Sequence, residues 1–374
     1  MLFFNELSFW EREEYLKGID FAIIGSGIVG MSTAIFLRKR YPTAKITILE
    51  RGYLPTGAST KNAGFTCFGS PSELFDDLQK NTESQVWETF LLRYQGLQSL
   101  FQLVSSDKID FSPCASWDLI AENKENLPID FISYLNQKTF ELIGEGSVYS
   151  LDNSILNTFG FKGFQNAYKN RLEGSINTGK LISELYKQTV ENCIQTIFGI
   201  NLHSYDTAGE DVTLLTNFGE ISSSNLIICT NGFANQFLDL DIQPARAQVL
   251  ITKPIADLKL AGTFHFDSGY YYFRNVGNRV LIGGGRNLDF EGESTPVFGT
   301  TDQIQSSILD LLQRNILPLT PFEIDYSWSG IMGVGKEKSP IIKKVNNKVA
   351  FGVRMGGMGV AIGSEVGKKL ANLF

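Results

Sequence analysis

Gly25, Gly27 and Gly30 form the most chemically specific pattern in the chain. They lie in FAIIGSGIVG, where an apolar β-like run breaks into Gly-x-Gly-x-x-Gly and continues as the small-residue helical pattern MSTAIFLRKR. A turn of this kind seats phosphate. Gly25 permits the tight turn, Gly27 lets a pyrophosphate approach bare backbone, and Gly30 lets the helix lie close to the strand. The free N–H groups and positive end of the helix, through Ser26, Ile28 and Val29, then face the phosphates. Glu50 ends the next apolar strand twenty residues beyond Gly30. There a carboxylate accepts a hydrogen bond from an adenosine ribose hydroxyl. Each glycine alone reads more readily as an ordinary turn. Strand, helix, second strand and terminal acid in register define a dinucleotide site. Phe21 to Leu37 also invites reading as a membrane anchor. It falls short of the roughly 18 residues of a spanning helix and carries three glycines, so no membrane span is expected.

Few other residues offer chemistry. Gly330 to Lys336 has P-loop spacing, but Glu337 stands where Ser or Thr would hold magnesium and Pro340 blocks the following helix. Gly283-Gly284-Gly285 opens no helix and reads as crowded backbone, so one fingerprint implies one dinucleotide. Of two histidines, His203 sits on an expected strand and reads as structural, while nothing near His265 in sequence supports a role. Four cysteines without a C-x-x-C pair or a neighbouring histidine indicate neither a metal site nor a disulfide framework. Thiols in a reducing, cytoplasmic compartment follow. A net charge of -7, with no basic block longer than Arg38-Lys39-Arg40, argues against a nucleic-acid surface. A nicotinamide enzyme would place a catalytic Lys, Tyr or His soon after the dinucleotide unit. An FAD enzyme needs less from side chains, because the isoalloxazine takes the hydride, but it needs long glycine-rich loops. GASTKNAGFTCFGSP, residues 57–71, is such a loop.

The elements that must position these residues suit an α/β fold of two intertwined domains in 374 residues. A surface helix is expected in MLFFNELSFWEREEY, helices over 72–103 and 127–144, a strand over 116–122, and irregular extended chain over 159–168. A helix after Gly174, a strand TIFGINLHSYD and a hairpin ending in the apolar Leu226 to Cys229 make a second Rossmann-like half. From Pro244 the pattern turns antiparallel, with a turn at 275–278. A helix over 300–312, a strand FEIDYSWSG and a closing strand, glycine loop and helix follow.

In order along nearly the whole chain, GSGIVG, LERG, GASTKNAG, EGSINTGKLI, FGINL, TNG, PARAQVL, YYYFR, VLIGGG, WSGIMG and GGMGVAIG resemble the FAD-dependent amino-acid oxidase family, which includes glycine, sarcosine and D-amino-acid oxidases. The resemblance implies an FAD-binding Rossmann-like domain, 1–80, 165–235 and 325–374, with an inserted substrate domain, 81–164 and 236–324, on a mixed, largely antiparallel sheet that roofs the flavin. It places Gly25 to Gly30 on the pyrophosphate and Glu50 with Arg51 at the adenosine ribose. It places Ser59, Thr60, Asn62, Ala63 and Gly64 along the pyrophosphate and flavin, and Leu202 with Thr230, Asn231 and Gly232 around adenine. Gly356, Gly357, Met358, Gly359 and Val360 fall at the pyrimidine edge of the flavin, beside Met332.

The departures matter too. Met332 stands where several relatives clamp the substrate carboxylate with arginine. Lysines that sarcosine oxidase places over the flavin read Leu281 and Ala361 here, which leaves the electron acceptor open. The segment that carries its flavin-linking cysteine reads GVGKEKSP, so FAD is expected to be held non-covalently. Tyr271, Arg274, Arg354 and Lys61 remain to fix a substrate. Arg354 suits a carboxylate, or pairs with an acid from the helix above it; Tyr271 faces the flavin, or packs within its sheet. The expected function is oxidation of the C–N bond of an amine or amino acid, with a 2-hydroxy-acid dehydrogenase or a flavin-bearing subunit as alternatives.

Overall fold

A computed structural model describes residues 6–374. Strand Ile19–Ile24 is the axis of the first of two eight-stranded sheets. It pairs in parallel with Ile46–Glu50 on one side and Gly219–Ile228 on the other. Gln195–Phe198 extends the first flank; Val349–Val353 and Ile341–Lys344 extend the second. Strands covered on both faces read as continuous apolar runs, and Ile23, Ile48, Ile227 and Phe351 are fully buried. Helix Gly359–Ala371 packs on both Ile28–Arg40 and Glu83–Leu103. Small residues allow that approach: a Cβ on Gly96 would lie 1.9 Å from the Ala361 carbonyl oxygen.

The second sheet runs Ile324–Val334, Gln243–Thr252, Arg279–Gly284, Tyr271–Val276, Thr263–Phe266, Ser116–Ala121, Phe164–Asn170, Tyr149–Leu151. Its pairings are antiparallel except between Thr263–Phe266 and Ser116–Ala121. Helix Asp302–Leu311 covers one face and buries Ile304 and Ile308 with Tyr271, Phe273 and Ile282. The other face looks toward the first sheet. The α/β class with a mixed second sheet is the architecture expected.

Several local expectations change. Phe164–Asn170, read as irregular, is a strand; its alternation is masked by polar residues on the half-buried face. TIFGINLHSYD divides at Gly199, φ +80°, into Gln195–Phe198 and Leu202–Asp206. Strand Ile324–Val334 absorbs most of the P-loop imitation, whose backbone is committed to the ladder with Gln243–Thr252. Loop 57–71 contains a helical turn, Ala58–Lys61, and a strand, Phe65–Thr66. Phe164–Asn170 and Ile324–Val334 lie largely in segments assigned to the cofactor unit yet belong to the second sheet, while Glu83–Leu103, assigned to the substrate domain, packs on the first core. Of the expected N-terminal helix, residues 1–5 lie outside the described residues; Phe9–Glu11 and Arg12–Leu16 are helical. Among the described residues no helix is long and apolar enough to cross a membrane, and no cluster of metal-ligating side chains occurs.

Candidate active site

A cavity of about 680 Å³ runs from the turn after Ile19–Ile24 to the open face of the second sheet. At its first end the glycines act as their spacing requires. Gly25 holds φ +101°, and a Cβ there would meet the Cys229 carbonyl oxygen at 3.1 Å. A Cβ on Gly30 would lie 1.9 Å from the Gly25 carbonyl oxygen, so only glycine lets helix Ile28–Arg40 start this close to the strand. The bare face of Gly27 admits the Ser59 hydroxyl, 2.8 Å from where a Cβ would stand. Ser59 accepts a hydrogen bond from the Ile28 N–H at 3.0 Å. Loop 57–64 is thereby pinned to the helix N-terminus, whose first-turn N–H groups at Ile28, Val29 and Gly30 have no helical acceptor.

Glu50 ends its strand with both carboxylate oxygens engaged: Ser26 donates its N–H and hydroxyl to Oε2 at 3.0 and 2.8 Å, and the Gly52 N–H donates to Oε1 at 2.9 Å. Arg51 lies over the Phe233 ring at 4.0 Å. Ile200, Asn201 and Leu202 line this end with Thr230, whose buried hydroxyl has no partner. Asn231, at φ +48°, accepts the Met355 N–H at 3.1 Å and so ties this loop to the last one. Gly232 packs on the Met332 backbone. Gly356 and Gly357 hold φ +56° and +84° and deliver the chain through Met358 to helix Gly359–Ala371, whose start, with Met332 and Val360, lines the cavity. Of the cofactor set, Ser26, Gly30, Thr60 and Gly232 stand behind the wall rather than in it. Thr60 turns inward to the Pro55 and Gly57 carbonyls, and Asn62 bonds Ala58, Ser59, Gly64 and Thr178 to hold Ala63 and Gly64 in place.

Three of the four expected substrate residues point elsewhere. The pleat sends Tyr271 to the helix-covered face, where it stacks on Phe266 at 4.7 Å and bonds Ser307. Arg274 is buried against the Gly64 carbonyl at 2.9 Å, and burial pushes its pKa down to about 10. Arg354 is saturated by Asp241, Glu337 and the Ser339 carbonyl. Its acids come from loops rather than from the helix above. At φ +64° it holds the left-handed backbone that favours glycine. Lys61 alone lines the cavity, its ammonium 5.2 Å from the Phe298 ring centroid.

The roof is made by the alternate residues. Tyr272 faces the cavity and lies across Gly283, where a Cβ would be 2.6 Å from its hydroxyl. His265 is its cross-strand partner, and Phe65 meets both edge-on at 5.7 and 5.0 Å. His265 is 8% exposed and its Nε2 is buried without a partner. Burial pushes its pKa down to about 4, so the imidazole is neutral near pH 7. Glu73, Asp77 and Lys338 form the wall beside it, backed by Arg93. Burial raises the Glu73 carboxyl, but Arg93 and Lys338 outweigh burial and hold it well below its ordinary value. Cys67 and Cys229 line the wall as thiols, Cys67 pushed well up by burial and nearby Glu173, Cys229 pushed to about 12 by burial. The alternation of YYYFR contained the Tyr272 signal, though the strand alone does not say which face is covered.

A phosphate cradle on one sheet thus continues beneath an aromatic roof on another. The chain belongs to the FAD dependent oxidoreductase family, whose profile matches residues 20–373. It is similar to the bifunctional protein ThiO/ThiG of Trichormus variabilis, 22% identical over 86% of this chain and 47% of that protein. The chain thus spans about half the length of the curated relatives it matches. Among solved structures it resembles glycine oxidase from Geobacillus kaustophilus, with a TM-score of 0.75 at 17% identity over 95% and 94% of the two chains. L-proline dehydrogenase from P. horikoshii also gives 0.75, at 15% identity over 96% and 93%.

Proposed function

We propose that this chain oxidises the C–N bond of an amine or amino acid on non-covalently held FAD, in a reducing, cytoplasmic compartment. The observation that carries the proposal is the single cavity joining the Gly25–Gly30 cradle to the His265 and Tyr272 roof. The residues present fit the cofactor: bare helix N–H groups and Ser59 for the pyrophosphate, Glu50 and Arg51 for the ribose, the orphaned Thr230 hydroxyl and Leu202 for the adenosine end, and Gly356 to Val360 for the flavin edge. Cys67 and Cys229 are held protonated by burial and so are poor nucleophiles for a flavin link. When bound, FAD supplies the acceptor for the hydride that leaves the substrate carbon as C–N becomes C=N.

The chain's own contribution is positioning. Tyr272 and Phe65 shape an apolar, water-poor slot, and His265 stands neutral in its wall. Glycine oxidase and L-proline dehydrogenase, named among the structural neighbours, act on amino acids, and this supports the reading. A 2-hydroxy acid is the second reading. It needs a base for the hydroxyl proton, and the imidazole in the wall, His265, has its basicity lowered by burial.

Anaerobic addition of amines, N-methyl amino acids, D- and L-amino acids and 2-hydroxy acids to the purified yellow protein tests this. Bleaching by an amine or amino acid is expected. Bleaching by hydroxy acids alone would replace the first reading with the second, and a protein that takes up no FAD would overturn both.

A further inference from the structure

The charges in the cavity wall are unequally satisfied. Every acid there is engaged: Glu50 by Ser26 and Gly52, Glu73 by Arg93 and Lys338, Asp76 by Lys80, Asp77 by Lys338, and Glu337 by Arg354. Several cations are not. Arg51 belongs to the ribose end, and Lys61 and Lys336 have no carboxylate partner among the described residues. Arg286 is the fourth, and among the described residues it alone of the four has a buried side-chain nitrogen without a partner.

Arg286 opens the short helix Arg286–Leu288 at the end of strand Arg279–Gly284. Among the described residues its guanidinium makes no ion pair or hydrogen bond, and its Nε is buried without a partner. The guanidinium lies 5.0 Å from the centroid of the Phe290 ring. Glu293, the acid whose charge acts on it, already accepts Arg246 at 2.7 and 3.0 Å and Gln248 at 2.9 Å. Burial accordingly pushes Arg286 below its ordinary pKa, with only weak support from Tyr270 and Glu293. A half-buried guanidinium with open donors in a cavity wall calls for an anion, and a planar carboxylate matches its fork. The phosphates do not compete for it, because their cradle lies on the other sheet.

Position favours the substrate. Tyr270, Tyr272, Gly284 and Arg286 line the same stretch of wall, and His265 adjoins Tyr272 on the next strand. Met332 lies two strands across, on the far side of Gln243–Thr252 and roughly 10 Å away at sheet spacing. It has no charge to offer a carboxylate.

We propose that Arg286 is the carboxylate anchor of this site, and that the substrate is therefore an amino acid, primary or N-substituted, rather than an amine lacking a carboxylate. The proposal rests on the flavin reading above. Two readouts separate the failures: visible FAD content for that reading, and carboxylate binding for this one.

The test titrates the yellow wild-type protein, Arg286→Lys and Arg286→Met with benzoate, following the flavin spectrum and the heat of binding. KM and kcat are then measured for an amino acid that bleaches the flavin and for its decarboxylated amine. With FAD content unchanged in all three proteins, Arg286→Met is expected to weaken benzoate and raise KM for the amino acid roughly 30- to 100-fold, with the decarboxylated amine unaffected. Arg286→Lys should recover part of the loss, since charge is kept and the fork is lost. Equal benzoate binding in wild type and Arg286→Met, or a wild type that turns over the decarboxylated amine as well as the amino acid, would overturn the assignment.

Discussion

The two ends of the cavity are built by different means. The phosphate end is made of backbone: it depends on where side chains are missing, at Gly25, Gly27 and Gly30, and on N–H groups within a few residues of one another. The roof end is made of side chains from distant segments, with Phe65, Glu73, His265, Tyr272, Arg286 and Lys338 brought together only by tertiary packing. A steric requirement at one end and an electrostatic one at the other should therefore break in different ways.

The largest effect should come from the roof end. Glu73→Gln removes the carboxylate shared by Arg93 and Lys338 and leaves Arg93, its side chain 3% exposed, as a buried uncompensated charge. We expect a loss of roughly 3–5 kcal/mol in denaturant unfolding. Arg93→Met together with Glu73→Gln should recover much of it.

His265 gives the next effect, with a definite sign. Its pKa in the folded chain is about 4, against about 6.5 for an unperturbed imidazole. The unfolded state takes up the proton first, so this stability is complete above pH 6.5 and is lost as pH falls toward 4. The loss is up to about 3 kcal/mol across that window. His265→Phe should flatten the acid limb of the stability profile; an unchanged limb would show that the imidazole is not buried neutral.

At the cradle, Gly30→Ala forces a methyl onto the Gly25 carbonyl oxygen. About 2–3 kcal/mol of destabilisation is expected, together with loss of bound flavin in the visible spectrum. The smallest effect should be Tyr271→Phe. It removes one hydrogen bond to Ser307 behind the roof, costs about 1 kcal/mol in a thermal melt and leaves KM unchanged, whereas Tyr272→Phe should change KM.

This difference in construction also explains what was legible in the chain. The cradle could be read directly, because Gly-x-Gly-x-x-Gly, Glu50 and the glycines of the last loop act through local backbone geometry. The roof could not. An aromatic strand announces that one face is useful, but whether Tyr271 or Tyr272 faces the cavity depends on helix Asp302–Leu311 covering the other side. Arg274 and Arg354 look like free cations in one dimension. Folding turns Arg274 onto the Gly64 carbonyl, outside the cavity lining, and pairs Arg354 with Asp241 and Glu337. Arg286 is the complementary case: having no partner is a property of the fold. Phe164–Asn170 does not read as a strand in one dimension because polar residues on its half-buried face mask the alternation, and its pairing with Ser116–Ala121 is set only by folding.

The measurement that tests the account most directly is a crystal structure of the yellow protein with benzoate bound. The expected result is the pyrophosphate at the Val29 N–H and the Ser59 hydroxyl, the flavin ring beneath Tyr272 and His265, and the benzoate carboxylate on Arg286. A flavin directed away from the roof sheet, or a carboxylate bound at Lys61 with Arg286 facing solvent, would contradict it.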